Sequence, residues 1–474
     1  MSRNTVLLKN TLIILFGKVC TQLISYLLLP VYTTVLSAEE YGTVDLLITY
    51  VTLIAPITTL QMEAAVFRFL IDVRQNSEGI YRIITNSMIC VGSTIGVVVI
   101  GYTAIVTLWG VQYALPFAMC VVANALISIF LQISRGLGDN ITYAVGSAIS
   151  GIFTIIFNIL FIVVFSFGVV GMLNATALAQ VLGTLYIAIR LKIIRFINPR
   201  YFDFSILKEM LRYSLPLIPN SLSWWIISVS DRTLVTAFLG VQANGLLAVA
   251  TKFATIVVNV FTIFNLSWTE SVSVHIYDKD GDRYISQISN QCIKLFGSGG
   301  AILILGCGLL FDYLIGPNFI GAYDLIPILV IGSVLNVVQT LYGIIYIGLK
   351  DTKQTSKSSF MAAVVNLAID LMLINVIGLY AAAISTVGAM FFLSAYRYID
   401  VNKQIHIRIR SSTIAVLCAM YTFACSVYYT KNTILVAVGL MLISVFFSFW
   451  NIEVMRSIIV IIKRKFHFFE SLKK

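Results

Sequence analysis

Charge is scarce in this chain. Only 11% of its 474 residues are Asp, Glu, Lys or Arg, against roughly 25% in a soluble domain. No polar stretch is long enough to form a separate soluble domain. Histidine is scarcer still: His275, His406 and His467 are the whole set, with no spacing that suits a metal. The seven cysteines (Cys20, Cys90, Cys120, Cys292, Cys307, Cys418, Cys425) are odd in number, form no CxxC and lie in or beside apolar runs. They read as small membrane-embedded residues, not as a disulfide or metal framework. No Gly-Lys-Ser loop exists to cradle a phosphate, which argues against ATP hydrolysis. The net charge of +11 has no basic stripe with interleaved aromatics, so it does not point to nucleic acid. Together these absences give no support for an enzyme or a resident cofactor.

What is present is hydrophobic length. Hydrophobic residues make up 59% of the chain, in runs of about 20 residues, the length that crosses a bilayer as a helix. Strands would alternate in about 10-residue segments instead. Fourteen spans are expected. The first six cover 11–36, 41–67, 83–109, 113–134, 144–166 and 169–190. The next six cover 213–239, 245–269, 291–316, 324–346, 359–379 and 380–398, and two more cover 413–430 and 432–454. The amino-terminal stretch has the basic start of a signal peptide. Lys18 interrupts its apolar run and no small-residue cleavage site follows, so it is read as the first helix. With the amino terminus placed in the cytoplasm, 28 of the 32 lysines and arginines fall on the inner side. Lys431 alone falls on an outer turn, beside Glu39, Glu40, Asp312 and Asp324. This bias sets both termini inside. The fold expected is an all-α polytopic membrane protein.

The second half echoes the first. Leu8, Leu12, Leu36 and Gly42 fall on Leu211, Leu215, Leu239 and Gly245. GLGD at 136–139 falls on GLKD at 348–351, and FGVVGMLNAT at 167–176 on IGLYAAAIST at 377–386. Two like-oriented six-helix halves, 1–191 and 213–399, are expected around a basic linker at 192–212, with a cavity between them. Residues 400–474 add two helices without counterparts and a basic tail.

Three cations remain inside spans: Lys18, Arg232 and Lys252. A charge at the bilayer centre costs roughly 3 kcal/mol, so it faces protein or water, or snorkels to the interface. Asp231 adjoins Arg232, but consecutive helical residues point in different directions, so the two cannot simply neutralise each other. The acidic candidates are Asp45, Glu63, Asp231 and Asp370. Asp370 is the deepest, with Asn366 one turn earlier, and burial would suit it to carry a proton or to serve as a hydrogen-bonded structural group. Asp45 and Glu63 lie nearer helix ends, where solvation or pairing is common. Pro30 and Pro56 lie inside the first two helices and should kink them. Trp224, Trp225 and Trp268 could stack on sugars or anchor at the interface.

The stretch LLKNTLIILFGKVCTQLISYLLLPVYTTVLSAEEYG near the start, EAAVFRFL at 63–70 and RYSLPLIPNSLSWWIISVSDRTLVTAFLG at 212–240 together resemble the Wzx-type polysaccharide repeat-unit flippases. These belong to the multidrug/oligosaccharidyl-lipid/polysaccharide exporter superfamily, which includes the MATE transporters. The resemblance covers nearly the whole chain. It implies translocation of an undecaprenyl-diphosphate-linked oligosaccharide across a bacterial plasma membrane, by alternating access, for capsule or O-antigen synthesis. It further implies coupling to an H+ or Na+ gradient and a cationic cavity, for which Lys18, Arg232 and Lys252 would serve. Asp231 or Asp370 would couple or gate. Lysine binds phosphate as a point charge and arginine as a fork, which fits a diphosphate. Membrane lipids, a polysaccharide polymerase and a chain-length regulator are the partners implied. A MATE-like drug or cation exporter is the main alternative, but its cavity should favour acids. A membrane glycosyltransferase would need a sizeable outer loop, and the outer turns here are short.

Overall fold

The computed structural model describes residues 26–109, 112–349, 351–453 and 456. Helix is the only regular structure among them. The helices are α1 (Leu29–Val35), α2 (Ala38–Thr58), α3 (Met62–Val73), α4 (Ser77–Trp109), α5 (Ala114–Gly136), α6 (Asn140–Asn158) and α7 (Gly168–Arg190). They continue with α8 (Ile193–Phe196), α9 (Phe204–Ser214), α10 (Leu217–Leu239), α11 (Val241–His275) and α12 (Gly281–Leu314). The last five are α13 (Ile326–Gly348), α14 (Thr352–Ile377), α15 (Tyr380–Val401), α16 (Ser411–Tyr429) and α17 (Thr433–Trp450). Among the described residues, twelve helical stretches are long and apolar enough to cross a membrane. They coincide with the second to sixth and eighth to fourteenth expected spans. The first expected span lies mostly outside the described residues. The seventh is α10, helical over 23 residues but carrying Asp231 and Arg232. Large apolar side chains such as Val97, Ile100, Met372 and Val376 stand on the outside of these helices, as lipid contact requires.

Contacts divide the chain into two units, Met1–Gly245 with Gly316–Asn318, and Leu246–Ile315 with Phe319–Lys474. The boundary falls at the start of α11 and not in the basic segment at 192–212. That segment is docked on the first unit. Met210 is fully buried beside Leu70 of α3 and Ile84 of α4. Thr85 donates its hydroxyl to the Phe196 carbonyl at 2.7 Å, and Asp203 donates its backbone N–H to Asn86. Asp203 also caps α9, and bonds from the Ser205 hydroxyl and backbone N–H hold its carboxyl below its usual pKa.

α3 is the axis of the first unit's core. Met62, Ala65, Val66 and Leu70 pack against apolar residues of α4, α5 and α7, including Val91, Ile129, Ile133 and Ile187. In the second unit α15 lies against α13 and α14, while α16 and α17 pack on α12. Tyr421 donates to the Gly297 carbonyl at 2.9 Å, and Asn451 to the Ser298 hydroxyl at 3.1 Å. Tyr323 and Tyr428 stack at 4.2 Å and exchange hydrogen bonds with each other's carbonyls. The two added helices are therefore integral to their unit.

The echo between the halves is also physical. α5 ends at Gly136 and Asp139 caps α6, its carboxylate accepting from the Thr142 N–H at 2.9 Å. α13 ends at Gly348 and Asp351 caps α14, accepting from Gln354 at 3.2 Å. Both aspartates donate their own N–H back to the preceding helix, to Ser134 and Tyr346. Pro30 sits in the first turn of α1, and the helical residues 26–27 before it are interrupted at Leu28, the break in the helix that a proline favours. Pro56 is inside α2, as expected.

Candidate functional site

The polar seam of the first unit lies between α2 and α10. Ser221, Trp225 and Arg232 recur at helical spacing along α10, and Asp45 and Thr49 are one turn apart on α2. The helices meet antiparallel, so these groups pair in order. Gln61, just beyond α2, donates to the Ser221 hydroxyl at 3.0 Å. Trp225 donates its indole N–H to the Thr49 carbonyl at 3.1 Å and stacks on Tyr50 at 6.5 Å. Arg232 Nη1 reaches Asp45 Oδ2 at 2.9 Å and Thr49 Oγ1 at 3.0 Å. The Arg232 and Asp45 side chains are 23% and 12% exposed. This is a largely desolvated ion pair fixed by a third polar group.

The seam is closed at one end by two glycines. An added Cβ at Gly42 would collide with the Val241 carbonyl oxygen, and one at Gly245 with the Ala38 carbonyl oxygen. Only glycine lets these backbones approach so closely. Asn244, fully buried, donates to the Gly42 carbonyl at 3.0 Å. Gly42 and Gly245 are the pair that the repeat places in register, and here they touch.

The expected site residues are distributed as follows. Arg232 and Asp231 are half-buried in the first unit. The partner of Arg232 is Asp45, from another helix, and not its neighbour Asp231. Lys252 is half-buried on α11 of the second unit. Asp370 is 1% exposed on α14, also in the second unit, with Asn366 buried one turn before it. Lys18 lies outside the described residues. Trp225 uses its N–H within the seam and Trp268 is buried; the Trp224 side chain lies outside the described residues. Among the described residues no three His, Cys, Asp or Glu side chains gather as a metal site needs.

A further cation is buried in the second unit. Arg397, within the expected span 380–398, is 3% exposed near the end of α15. Its Nε donates to Ser358 at 3.1 Å, Nη1 to the Gln339 side chain and backbone, and Nη2 to Ser359 at 2.9 Å and the Thr355 carbonyl. All five guanidinium donors are thus taken, by neutral acceptors on α13 and α14. Gly343 makes room, since a Cβ there would strike Nη1. The signal available was the run of small hydroxyl residues at 355–359, which supplies acceptors on one helix face.

Residues 7–269 match the family described as "Polysaccharide biosynthesis protein". The chain belongs to this family. A search of curated proteins found no matching sequence. This member of the polysaccharide biosynthesis family is similar in fold to several solved transporters. One is a multidrug resistance MATE family transporter of the MOP superfamily in an inward-facing conformation. It is 17% identical, with TM-score 0.66, 85% of this chain and 96% of that one covered. Another is the lipid II flippase MurJ in an inward closed conformation, 14% identical, with TM-score 0.66, 95% of this chain and all of that one covered. A third is a Vibrio cholerae MATE transporter, 14% identical, with TM-score 0.53, 85% and 98% covered. The family member is a multi-pass membrane protein with the fold these transporters share.

Proposed function

We propose that this protein is a flippase that moves undecaprenyl-diphosphate-linked oligosaccharide repeat units across the bacterial plasma membrane, for capsule or O-antigen synthesis. The family match over residues 7–269 carries this reading, because it ties a transporter fold to polysaccharide synthesis. The similarity to a lipid II flippase along 95% of the chain supports a lipid-linked glycan as cargo. Transport proceeds by alternating access, with both termini cytoplasmic.

Arg232 and Lys252 bind the diphosphate, together with Lys18. Phosphate oxygens compete with Asp45 for the Arg232 guanidinium, a charge-assisted exchange in which one anion replaces another. Cargo entry therefore frees Asp45, and cargo release restores the pair. Asp231 and Asp370 couple the cycle to an H+ or Na+ gradient. A polymerase and a chain-length regulator receive the exported units.

The test is surface glycan in a strain whose own gene is replaced by variants. Arg232→Ala with Lys252→Ala abolishes surface glycan while folded protein persists in the membrane. Normal glycan from that double variant refutes the binding role. Loss of drug resistance with intact glycan in a null strain favours the MATE-like exporter instead.

A further inference from the structure

The second unit holds a basic pocket lined by none of the described residues proposed for cargo or coupling. It has a volume of about 910 Å³ and lies among the start of α12, the segment 405–410, the start of α16 and Glu453. Its builder is the run Ile-His-Ile-Arg-Ile-Arg at 405–410. Ile405 and Ile407 are buried while His406, Arg408 and Arg410 are exposed. This is the two-residue alternation of an extended strap with one apolar and one basic face.

The strap is held in place by one stripe of α12. Asp282, Ser286 and Asn290 recur every four residues. Asp282 accepts from the His406 N–H at 3.2 Å, and Ser286 from the Arg408 N–H at 3.1 Å. Asn290 accepts from the Arg410 N–H at 3.0 Å and donates to the Arg408 carbonyl at 2.7 Å. The Asn402 side chain accepts from the Ile407 N–H at 2.6 Å. The strap backbone is therefore organised before any ligand arrives, which lowers the ordering cost of binding. Arg283, Lys294, Arg408 and Arg410 line the pocket, with Asp282 and Glu453 as its carboxylates. Positive charge is in excess.

The same face of α12 changes character one turn further on. Gln287 and Gln291 line the basic pocket, whereas Leu295, Gly299 and Ile302 line an apolar groove of about 380 Å³ shared with α11 and Phe447. Lys294 stands at the change, its ammonium 5.2 Å from the Trp450 ring centroid, an interfacial pairing of lysine and tryptophan. A cationic pocket followed, one turn along the same helix, by an acyl-sized groove matches a phosphate headgroup attached to a lipid chain.

We infer that this pocket and groove bind an anionic phospholipid of the surrounding bilayer, with its headgroup phosphate held by Arg408, Arg410 and Lys294. Basic pockets between membrane helices take such headgroups. Neither the pocket nor the groove is lined by Arg232 or Lys252, and lipid binding there is inferred without reference to glycan export.

The experiment is native mass spectrometry of the purified full-length protein in detergent, with cardiolipin, phosphatidylcholine or inorganic phosphate added. Wild type retains cardiolipin well above phosphatidylcholine. Arg408→Gln with Arg410→Gln weakens cardiolipin retention roughly thirtyfold, and Lys294→Gln roughly fivefold. Arg408→Lys with Arg410→Lys retains the lipid, which separates charge from strap structure. Lys294 takes no part in fixing the strap, so Lys294→Gln tests the site even where strap variants misfold. Unchanged cardiolipin retention by these glutamine variants, equal retention of phosphatidylcholine, or displacement of the lipid by inorganic phosphate overturns the inference.

Discussion

The Asp45–Arg232 pair is open to a direct energetic test. At 2.9 Å and an effective dielectric near 20, the Coulomb attraction is about 6 kcal/mol. Most of that offsets the desolvation of two ions. With 23% and 12% of the side chains exposed, the pair lies between a surface bridge, at about 0–1 kcal/mol, and a buried one, whose breakage costs about 3–5 kcal/mol. Asp45→Ala strands a guanidinium against Thr49, and Arg232→Met strands a carboxylate. Each should cost about 3 kcal/mol. The double variant strands neither, so it should cost no more than either single change, a coupling of about 3 kcal/mol. Equilibrium unfolding by dodecyl sulfate in mixed micelles measures all four proteins. Costs that add to within about 0.5 kcal/mol would mean that the pair is not a coupled unit, and the exchange of Asp45 for phosphate would lose its basis.

Three further outcomes are expected. Gly245→Ala puts a Cβ into the Ala38 carbonyl oxygen, which the rigid helix backbone cannot yield, so stability falls by at least about 1–3 kcal/mol; a melting temperature equal to wild type contradicts this close approach. Arg397→Ala leaves the Gln339, Ser358 and Ser359 acceptors without their donor and lowers folded yield, with a cost of about 1–3 kcal/mol, and Arg397→Lys recovers only part, having three donors for five bonds. Asp139→Ala and Asp351→Ala each remove an N-cap and should each cost about 1 kcal/mol; similar losses in dodecyl sulfate unfolding check that the two turns are physical counterparts.

Much of the architecture was legible because it follows from one-dimensional rules. Hydrophobic length sets helix positions, and twelve of the fourteen expected spans recur among the described residues. Gly136–Asp139 and Gly348–Asp351 could be aligned by eye, since ending one helix and capping the next is local chemistry. Arg232 could be singled out because a cation in an apolar run is costly wherever it points. Its partner could not. Asp45 and Arg232 are far apart in sequence, and no periodicity reports which faces of two separate helices meet. Arg397 shows the same limit: its position near a span end fits the charge rule, but nothing local reports that neutral acceptors on α13 and α14 enclose it.

The sequence by itself determined that this is a helical membrane protein, where its helices run, that the turns at 136–139 and 348–351 are built alike, and which charges required an explanation. Those properties depend on transfer energies and local hydrogen bonds, which act within a turn or a span. Only the tertiary structure decided that Arg232 is balanced by Asp45, that Arg397 is enclosed by hydroxyls and amides, and that the Ile-His-Ile-Arg-Ile-Arg strap frames a basic pocket. Each of these depends on which side chains face each other across different helices. That choice is made by close packing, such as the contact of Gly42 with Gly245, over distances along the chain that local rules do not span.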